Sequence, residues 1–455
     1  MSRDHTRLPG HDDFRGADAA TIRAAMRARD PLPGTGGFAG SLRVDASAVP
    51  GDRSTRAGPD READRTSVLV RDVLGRQPLF VEATAPDPTA PDAWGFDPGS
   101  LATPEPVPAG AVVAADGVVE CWSLPEPPAA EPAQAQGAVE SALTAALATL
   151  DEDDAAGGAD AAGDTDAAED DADAAGDADA TEDDAQGGRS GQGSTGRLAV
   201  AFSGGVDSAL VASGVPDAPC YVAGFDGCHD VAAAREAARA MDRTLRVVTI
   251  THDALRRAVV DVALATGRQN PMDLAIAVPL YLTAEAAAAD GVDRLAVGQG
   301  ADELFGGYSK VVDPADDHRV DADTVRGART ETVRTLPAQL ERDVLALRAA
   351  GVEPVTPLLD DRLVAAALRL PASLLATPTR RKIALRRAAS GLVPESVRTA
   401  DKKAVQYGTY VSRELDRLAR QRGFKRRLDD HVGQYVEALL AEATETGERS
   451  DSRGA

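Results

Sequence analysis

The chain has 455 residues, a formal net charge of −24 and only three cysteines. Its length points to two or three domains, since a single core seldom grows past roughly 250 residues, and a hydrophobic content of 43%, with aromatics at only 4%, fills them mainly with Ala, Val and Leu. No run of 18 apolar residues and no basic-then-apolar start is present, which argues against membrane spanning and Sec export, and the acidity argues against nonspecific nucleic-acid binding.

In chain order, residues 1–30 are polar and are expected to be frayed. From Gly36 to about Pro125, short apolar runs (TSVLVRD, PLFVEAT, AGAVVAADGVVECW) are split by Gly and Pro, the pattern of short antiparallel strands. Residues 135–150 carry apolar side chains at helical spacing. Residues 151–184 then hold 16 acids and no base, two thirds of the net charge. With no apolar side chain larger than Ala, that stretch cannot offset its ordering entropy and reads as a solvated linker to residue 196. High Arg with five lysines, against an acidic background, is a salt-adapted composition of the haloarchaeal kind.

After Arg197 the pattern alternates. Strands are expected at 198–202, 220–225, 245–250 and 294–297, and helices at 206–213, 230–241, 254–267 and 275–291. Fully apolar strands alternating with helices imply a parallel sheet covered on both faces. Beyond Asp313 the chain reads as mostly helical, ending in a polar tail.

The strongest motif is Ser203-Gly204-Gly205-Val206-Asp207-Ser208, directly after a strand and opening a helix. The glycines admit backbone N–H groups to a phosphate, the helix N-terminus adds a positive dipole end, and Ser203 and Ser208 add hydroxyl donors. Asp207 suits Mg²⁺, which prefers carboxylate and phosphate oxygens. No Walker motif is present, and the literal GxGxxG at 191–196 precedes a strand instead of following one. A second glycine-rich loop, Gly298-Gln299-Gly300-Ala301-Asp302-Glu303-Leu304-Phe305-Gly306-Gly307-Tyr308, ends the strand that carries Val297. Parallel sheets bind ligands beyond the carboxyl ends of their strands, so both loops and Phe225 are expected to share one crevice, with Asp302 a second Mg²⁺ ligand.

These residues carry a resemblance. SGGVDS resembles the pyrophosphate loop of ATP-pyrophosphatase-type (PP-loop) enzymes, and GQGADELFGGY resembles the GEGxDExFGGY element of asparagine synthetases and their lactam-forming relatives. Glu353 with Pro357-Leu358-Leu359-Asp360 resembles ExRxPFLD, Lys382 with Arg386 resembles KxxLR, and Pro394 with Lys402-Lys403 resembles the segment bearing a pyrophosphate-binding lysine. The resemblance covers roughly residues 131–415. Further upstream, Arg71-Asp72-Val73-Leu74-Gly75-Arg76-Gln77-Pro78-Leu79-Phe80 resembles the RDxLGxxPLY strand–turn of the glutaminase half of such enzymes.

The resemblance implies an α/β fold, a five-stranded-type parallel sheet flanked by helices with a helical C-terminal part, joined to a small, degenerate, antiparallel β-rich domain. It divides the chain into a glutaminase-like domain (1–130), a helix belonging to the synthetase (131–150), an acidic insertion (151–196), the synthetase domain (197–443) and a tail (444–455). It implies ATP and Mg²⁺ as cofactors, with Ala201, Ala223 and Gly298 holding adenosine, Lys402 holding pyrophosphate and Lys382 in a catalytic position. The expected reaction joins ammonia to aspartate or a similar small carboxylate through an acyl-adenylate. The alternatives are amidation or lactam-type ligation of another carboxylate, and a nucleotide-binding relative without chemistry.

Two departures shape the expectation. Gln299 replaces the Glu of GEG, and an amide cannot accept the proton of attacking ammonia at neutral pH. Glu303 or phosphate is left to do so. Val355 stands where ExRxPFLD has Arg, a position tied to substrate recognition. The sequence begins Met1-Ser2-Arg3, and no cysteine precedes Cys121, whereas the related glutaminases use an N-terminal Cys. Ammonia is therefore the expected nitrogen donor, with a separate glutaminase or an oligomer compatible with the sequence. Cys121, Cys220 and Cys228 are too few for a disulfide framework or zinc site and fit a reduced, cytoplasmic setting.

Overall fold

The computed structural model describes residues 12–45, 65–162, 196–400, 407–426 and 430–451. The N-terminal part holds strands β1 (Asp13–Gly16), β2 (Phe38–Asp45), β3 (Arg65–Arg71), β4 (Phe80–Glu82), β5 (Trp94–Gly95), β6 (Pro104–Pro106), β7 (Ala111–Ala114) and β8 (Gly117–Glu120), with one helix, α1 (Ala19–Ala28). β1-β2-β3-β7-β8 form an antiparallel sheet, and β5-β4-β6 a smaller one. Leu69, Leu79, Trp94 and Val113 fill the space between them. Residues 12–30 correct the expectation of a frayed start. Asp18 caps α1 through Ala20 and Thr21 N–H groups, and Ile22, Ala25 and Met26 bury one face of that helix.

The second part is the parallel sheet. Its strands are β9 (Leu198–Ala201), β10 (Cys220–Gly224), β11 (Leu245–Thr249), β12 (Arg294–Ala296) and β13 (Glu353–Val355), in the order β11-β10-β9-β12-β13. All four pairings are parallel, with Val200 opposite Cys220 and Leu198 opposite Arg294. The chain builds outward in one direction from β9 to β11, then crosses to the other side of β9 for β12. The switch point therefore lies between β9 and β12, where an open parallel sheet leaves a crevice beyond its strand ends.

Helix α2 (Pro132–Ala162) covers one face with α3 (Val206–Ser213) and α4 (His229–Ala240), while α5 (His252–Thr266) and α6 (Pro271–Ala289) cover the other. α2 runs beyond the expected 135–150 into the start of the acidic tract; the rest of that tract, residues 163–195, lies outside the described residues. α6 is long and apolar enough to cross a membrane, yet Leu274, Ala277, Val278 and Leu282 are buried in the core beside α5.

Nine further helices follow among the described residues: α7 (Ala301–Phe305), α8 (Val325–Val333), α9 (Leu336–Ala349), α10 (Asp361–Leu368), α11 (Ala372–Leu375), α12 (Ile383–Ala388), α13 (Glu395–Arg398), α14 (Tyr407–Gln421) and α15 (His431–Asp451). A hairpin, β14 (Ala376–Thr377) with β15 (Arg380–Arg381), precedes α12. α15 continues past the expected start of a tail at 444, as far as Asp451.

The two parts are joined by the segment that resembled RDxLGxxPLY. Arg76 is buried, with Nε 2.9 Å from Asp72 Oδ1 and Nη1 2.8 Å from Asp361 Oδ1 at the start of α10. The same Nη1 donates to the Leu359 carbonyl at 2.7 Å. Arg71 Nη1 lies 3.3 Å from Glu341 Oε2 on α9, and the Gln77 side-chain oxygen accepts from Arg348 Nη2 at 2.6 Å. The motif thus acts as a polar joint, its charges satisfied across the boundary between the two parts.

Candidate active site

The loop after β9 begins with Ser203 and turns through Gly204, whose φ of +72° an L side chain rarely adopts. A Cβ there would also come within 2.8 Å of the Ala233 carbonyl oxygen. Glycine lets the loop press against α4 and deliver Gly205 as the N-cap of α3. Ser203 Oγ and Ser208 Oγ stand 3.3 Å apart at that helix start. Asp207 lies in the first turn of α3, and Gly298, at the end of the next strand, packs so closely that a Cβ on it would sit 3.1 Å from Asp207 Cβ.

Between the two loops a single ammonium joins two carboxylates. Lys382 Nζ is 2.6 Å from Asp207 Oδ2 and 2.7 Å from Asp302 Oδ1. Lys382 is buried and holds a left-handed backbone (φ 54°, ψ 43°) as the N-cap of α12, a strained conformation for a side chain of this kind. Burial alone pushes its pKa down, but Asp207 and Asp302 outweigh that and raise it above the usual lysine value. Gly307 lies directly beneath this bridge, where an added Cβ would collide with Asp302 Oδ1 and Lys382 Cε. Arg381 secures the same turn by donating to the Gly307 carbonyl at 2.6 Å.

Glu303 is buried beside Asp302, and Tyr308 Oη donates to its Oε1 at 2.6 Å. Burial and then the neighbouring Asp302 charge push Glu303 up to about 7, although the Tyr308 hydrogen bond pulls the other way. Burial and the Glu303 charge push the Tyr308 phenol up as well. Gln299, in the same loop, donates from Nε2 to Asp343 Oδ2 on α9 at 3.4 Å. Asp343 Oδ1 in turn accepts from Arg342 Nε at 2.8 Å.

A cleft of about 470 Å³ joins these groups at the switch point between β9 and β12. Ala201, Ser203, Asp207, Ser208, Val297, Gly298, Gln299, Asp302 and Glu303 all line it. Gly204 and Gly205 shape the loop after β9 that borders it, and Lys382 bridges two of its lining aspartates. Ala223 and Phe225 do not line it. The Ala223 N–H, within β10, donates to Thr283 Oγ1 at 3.1 Å, and Phe225 borders a separate recess with Cys228, His252 and Glu414. Lys402 and Lys403 lie outside the described residues.

Sequence reasoning passed over Arg342 and Asp343, which also line the cleft. The available signal was the run Glu341-Arg342-Asp343 inside the otherwise apolar pattern of α9; all three are buried. Arg386 of KxxLR braces the backbone, donating to the Arg381 carbonyl at 3.1 Å and to that of Arg398.

The donor set fits Mg²⁺ with a polyphosphate. Among the described residues no group of three or more His, Cys, Asp or Glu side chains forms a metal cage. Two carboxylates instead converge on one cation within 2.7 Å, beside the glycine loop that opens α3. That is the arrangement for a metal whose remaining ligands are phosphate oxygens and water.

Comparison with known proteins agrees with this geometry. The sequence profile described as asparagine synthase matches residues 193–329 and 314–454. The chain is 27% identical over 282 residues to the putative glutamine-hydrolyzing asparagine synthetase 1 of Methanocaldococcus jannaschii, covering 54% of this chain and 52% of that protein. It is 26% identical over 193 residues to the glutamine-hydrolyzing asparagine synthetase B of Escherichia coli, covering 38% of this chain and 33% of that protein. The matched spans thus reach about half the length of these relatives, or less. With the profile covering more than half of the sequence and its motifs gathered around one cleft, the chain belongs to the asparagine synthase family.

Proposed function

We propose that the protein is an ATP-dependent ligase that activates a carboxylate, aspartate in the simplest case, as an acyl-adenylate and then forms an amide with ammonia, releasing AMP and pyrophosphate. The observation that supports this most directly is the convergence of Asp207 and Asp302, from two strand-end loops, on the ammonium of Lys382. A site for departing pyrophosphate needs this combination of hydroxyls, backbone N–H groups and a lysine.

Ser203, Ser208 and the N–H groups opening α3 would hold the phosphate chain of ATP, with Lys402 as a further pyrophosphate ligand. Asp207 and Asp302 would hold Mg²⁺, which when bound neutralises the negative charge of the polyphosphate. Lys382 keeps the two carboxylates in place before nucleotide arrives, because its ammonium offsets the repulsion between two partly buried negative charges. The protein's contribution to adenylation is position and charge.

For the amide-forming half, Glu303 is the proton acceptor that Gln299 cannot be. A carboxyl near 7 exchanges protons at neutral pH, and Tyr308 fixes its orientation. Ammonia as donor is supported by Cys121, which is packed in the core with its thiol pushed up to about 11 by burial. Such a thiol is inert toward glutamine. A cytoplasmic setting belongs to this reading and is supported by the three free, buried cysteines.

The test is product analysis with ATP, Mg²⁺, ammonium and a panel of small carboxylates at low and molar salt. The reading expects AMP, pyrophosphate and amide in equal amounts with one acid. ADP and phosphate as products would overturn it. A different acid from aspartate is the second reading, favoured by Val355 at the position where the family element has Arg.

A further inference from the structure

We propose that a recess in the β-rich part, between α1 and the ends of β2 and β3, is a binding site for a tetrahedral oxyanion: inorganic phosphate or the head of a small phosphate monoester. None of the residues around it lines the cleft, so the site is independent of the ligase reading.

Charge sets the recess apart. Four guanidinium groups border it: Arg23 and Arg27 one turn apart on α1, Arg43 on β2 and Arg65 on β3. Strand pairing sets Asp45 opposite Arg65, and Asp12 Oδ2 lies 2.6 Å from Arg23 Nη2. Four arginines against these two acids leave an excess of two positive charges, in a chain whose formal net charge is −24. Residues 46–64, which join β2 to β3 and lie outside the described residues, carry four acids and three arginines by sequence, so even counted whole they do not reverse that sign. Arg23 and Arg27 also repel each other across their i,i+4 spacing. Gathering like charge in this way costs free energy that an anion between the groups offsets. Guanidinium is the cation whose fork of donors matches phosphate oxygens.

Size selects the ligand. The recess holds about 50 Å³. At about 10–15 Å³ for each water-sized atom, that is room for about four, the oxygen count of a tetrahedral oxyanion. A monoester therefore enters by its phosphate alone and leaves its remainder in solvent. The floor is apolar, made by Met26 and Val44, both 4% exposed. A floor of low dielectric strengthens the attraction between the anion and the arginine rim.

Part of the rim is set in advance. Arg23 Nε donates to the Arg43 carbonyl at 3.0 Å, and Asp12 Oδ1 accepts from the Arg43 backbone N–H at 2.8 Å. Asp12 and β2 thus fix Arg23 before any anion arrives, which lowers the entropy lost on binding. Arg27 and Arg65 are exposed, with side chains able to turn toward the anion.

Calorimetric titration of the full chain tests the site, with phosphate exchanged for chloride at constant ionic strength. Phosphate should bind saturably. Arg27→Gln with Arg65→Gln should weaken it about 10-fold or more, with Mg²⁺–ATP affinity within about twofold of wild type. Asp45→Asn, which removes a carboxylate beside the anion, should tighten phosphate about threefold. That single variant decides the matter if the double variant does not fold. Glycerol phosphate separates the two sources: binding as tight as that of inorganic phosphate supports a monoester head, and binding about 10-fold weaker supports the inorganic ion. Titration without saturation, equal binding of chloride, unchanged phosphate affinity in the double variant or no tightening in Asp45→Asn would each overturn the site.

Discussion

Lys382 places its ammonium 2.6 Å from Asp207 Oδ2 although the two residues are 175 positions apart in the chain. The contact ties the glycine loop after β9 to the start of α12, and the second contact of the same ammonium, with Asp302, ties both to the loop after β12. Three segments that share no local structure are thereby fixed around one point.

Replacing Lys382 with Met should expose what that ammonium does. Two partly buried carboxylates are left without their shared cation, a loss of about 1–3 kcal/mol, below that of a fully buried broken pair because each is partly solvated. Denaturant melts should show the drop in the free protein. Mg²⁺ with ATP should restore more stability to the variant than to the wild type, since added positive charge relieves the same repulsion. Equal stability of variant and wild type would contradict the charge-bridge account.

Glu303 should make stability and turnover depend on pH in opposite senses. Its folded pKa is about 7 against an ordinary 4.5, so between these values the native state binds more protons than the unfolded chain. Its contribution to stability is therefore fullest below pH 4.5 and is lost as pH rises toward 7. Amide formation needs the deprotonated form and should rise across pH 7. Glu303→Gln should flatten both profiles and lower the amide-forming rate by about 100-fold or more. Adenylation, followed as pyrophosphate exchange, should change far less. A variant that keeps the wild-type rate and pH profile would remove Glu303 from the mechanism.

The polar joint between the two parts predicts a stability effect with no glutamine chemistry. Arg76→Met leaves Asp72 and Asp361 buried without their shared cation, and about 3–5 kcal/mol should be lost in equilibrium denaturation. A neutral result would mean that the joint is not what holds the β-rich part against α10.

Nitrogen supply has a simple outcome. Ammonium should support product formation and glutamine alone should not, with Cys121→Ser leaving the ammonium-dependent rate unchanged. Glutaminase activity that disappears in Cys121→Ser would contradict the assignment of Cys121 to the core.

Much of this was legible before the structure. Apolar strands alternating with helices are dictated by two-sided burial, so four of the five parallel strands and both strand-end loops stood out within a residue or two of their limits, whereas the three-residue edge strand β13 lay in a stretch read as mostly helical. Asp207, Gln299, Asp302 and Glu303 were identifiable because each belongs to a glycine-rich motif that follows a strand end. Less legible were features that depend on distant partners. Residues 12–30 look polar, yet α1 buries a narrow stripe of Ile22, Ala25 and Met26 against the sheet. Arg342 and Asp343 look like surface charges of an amphipathic helix and become interior only because the network with Asp273, Arg268 and Glu341 satisfies them. The RDxLGxxPLY-like segment was legible as a motif, but its use of Arg71, Arg76 and Gln77 to grip α9 and α10 depends on partners more than 250 positions away. Lys382 matched a motif, but nothing local showed that its ammonium would bridge two aspartates.

Asp207 and Asp302 are assigned to adenylation at one nucleotide site. ATP–pyrophosphate exchange dependent on the carboxylate substrate measures that step alone, before any amine is added. The wild-type protein should show acid-dependent exchange, and Asp207→Ala should lose it while remaining folded by melting analysis. Exchange that persists unaltered in Asp207→Ala would contradict that assignment.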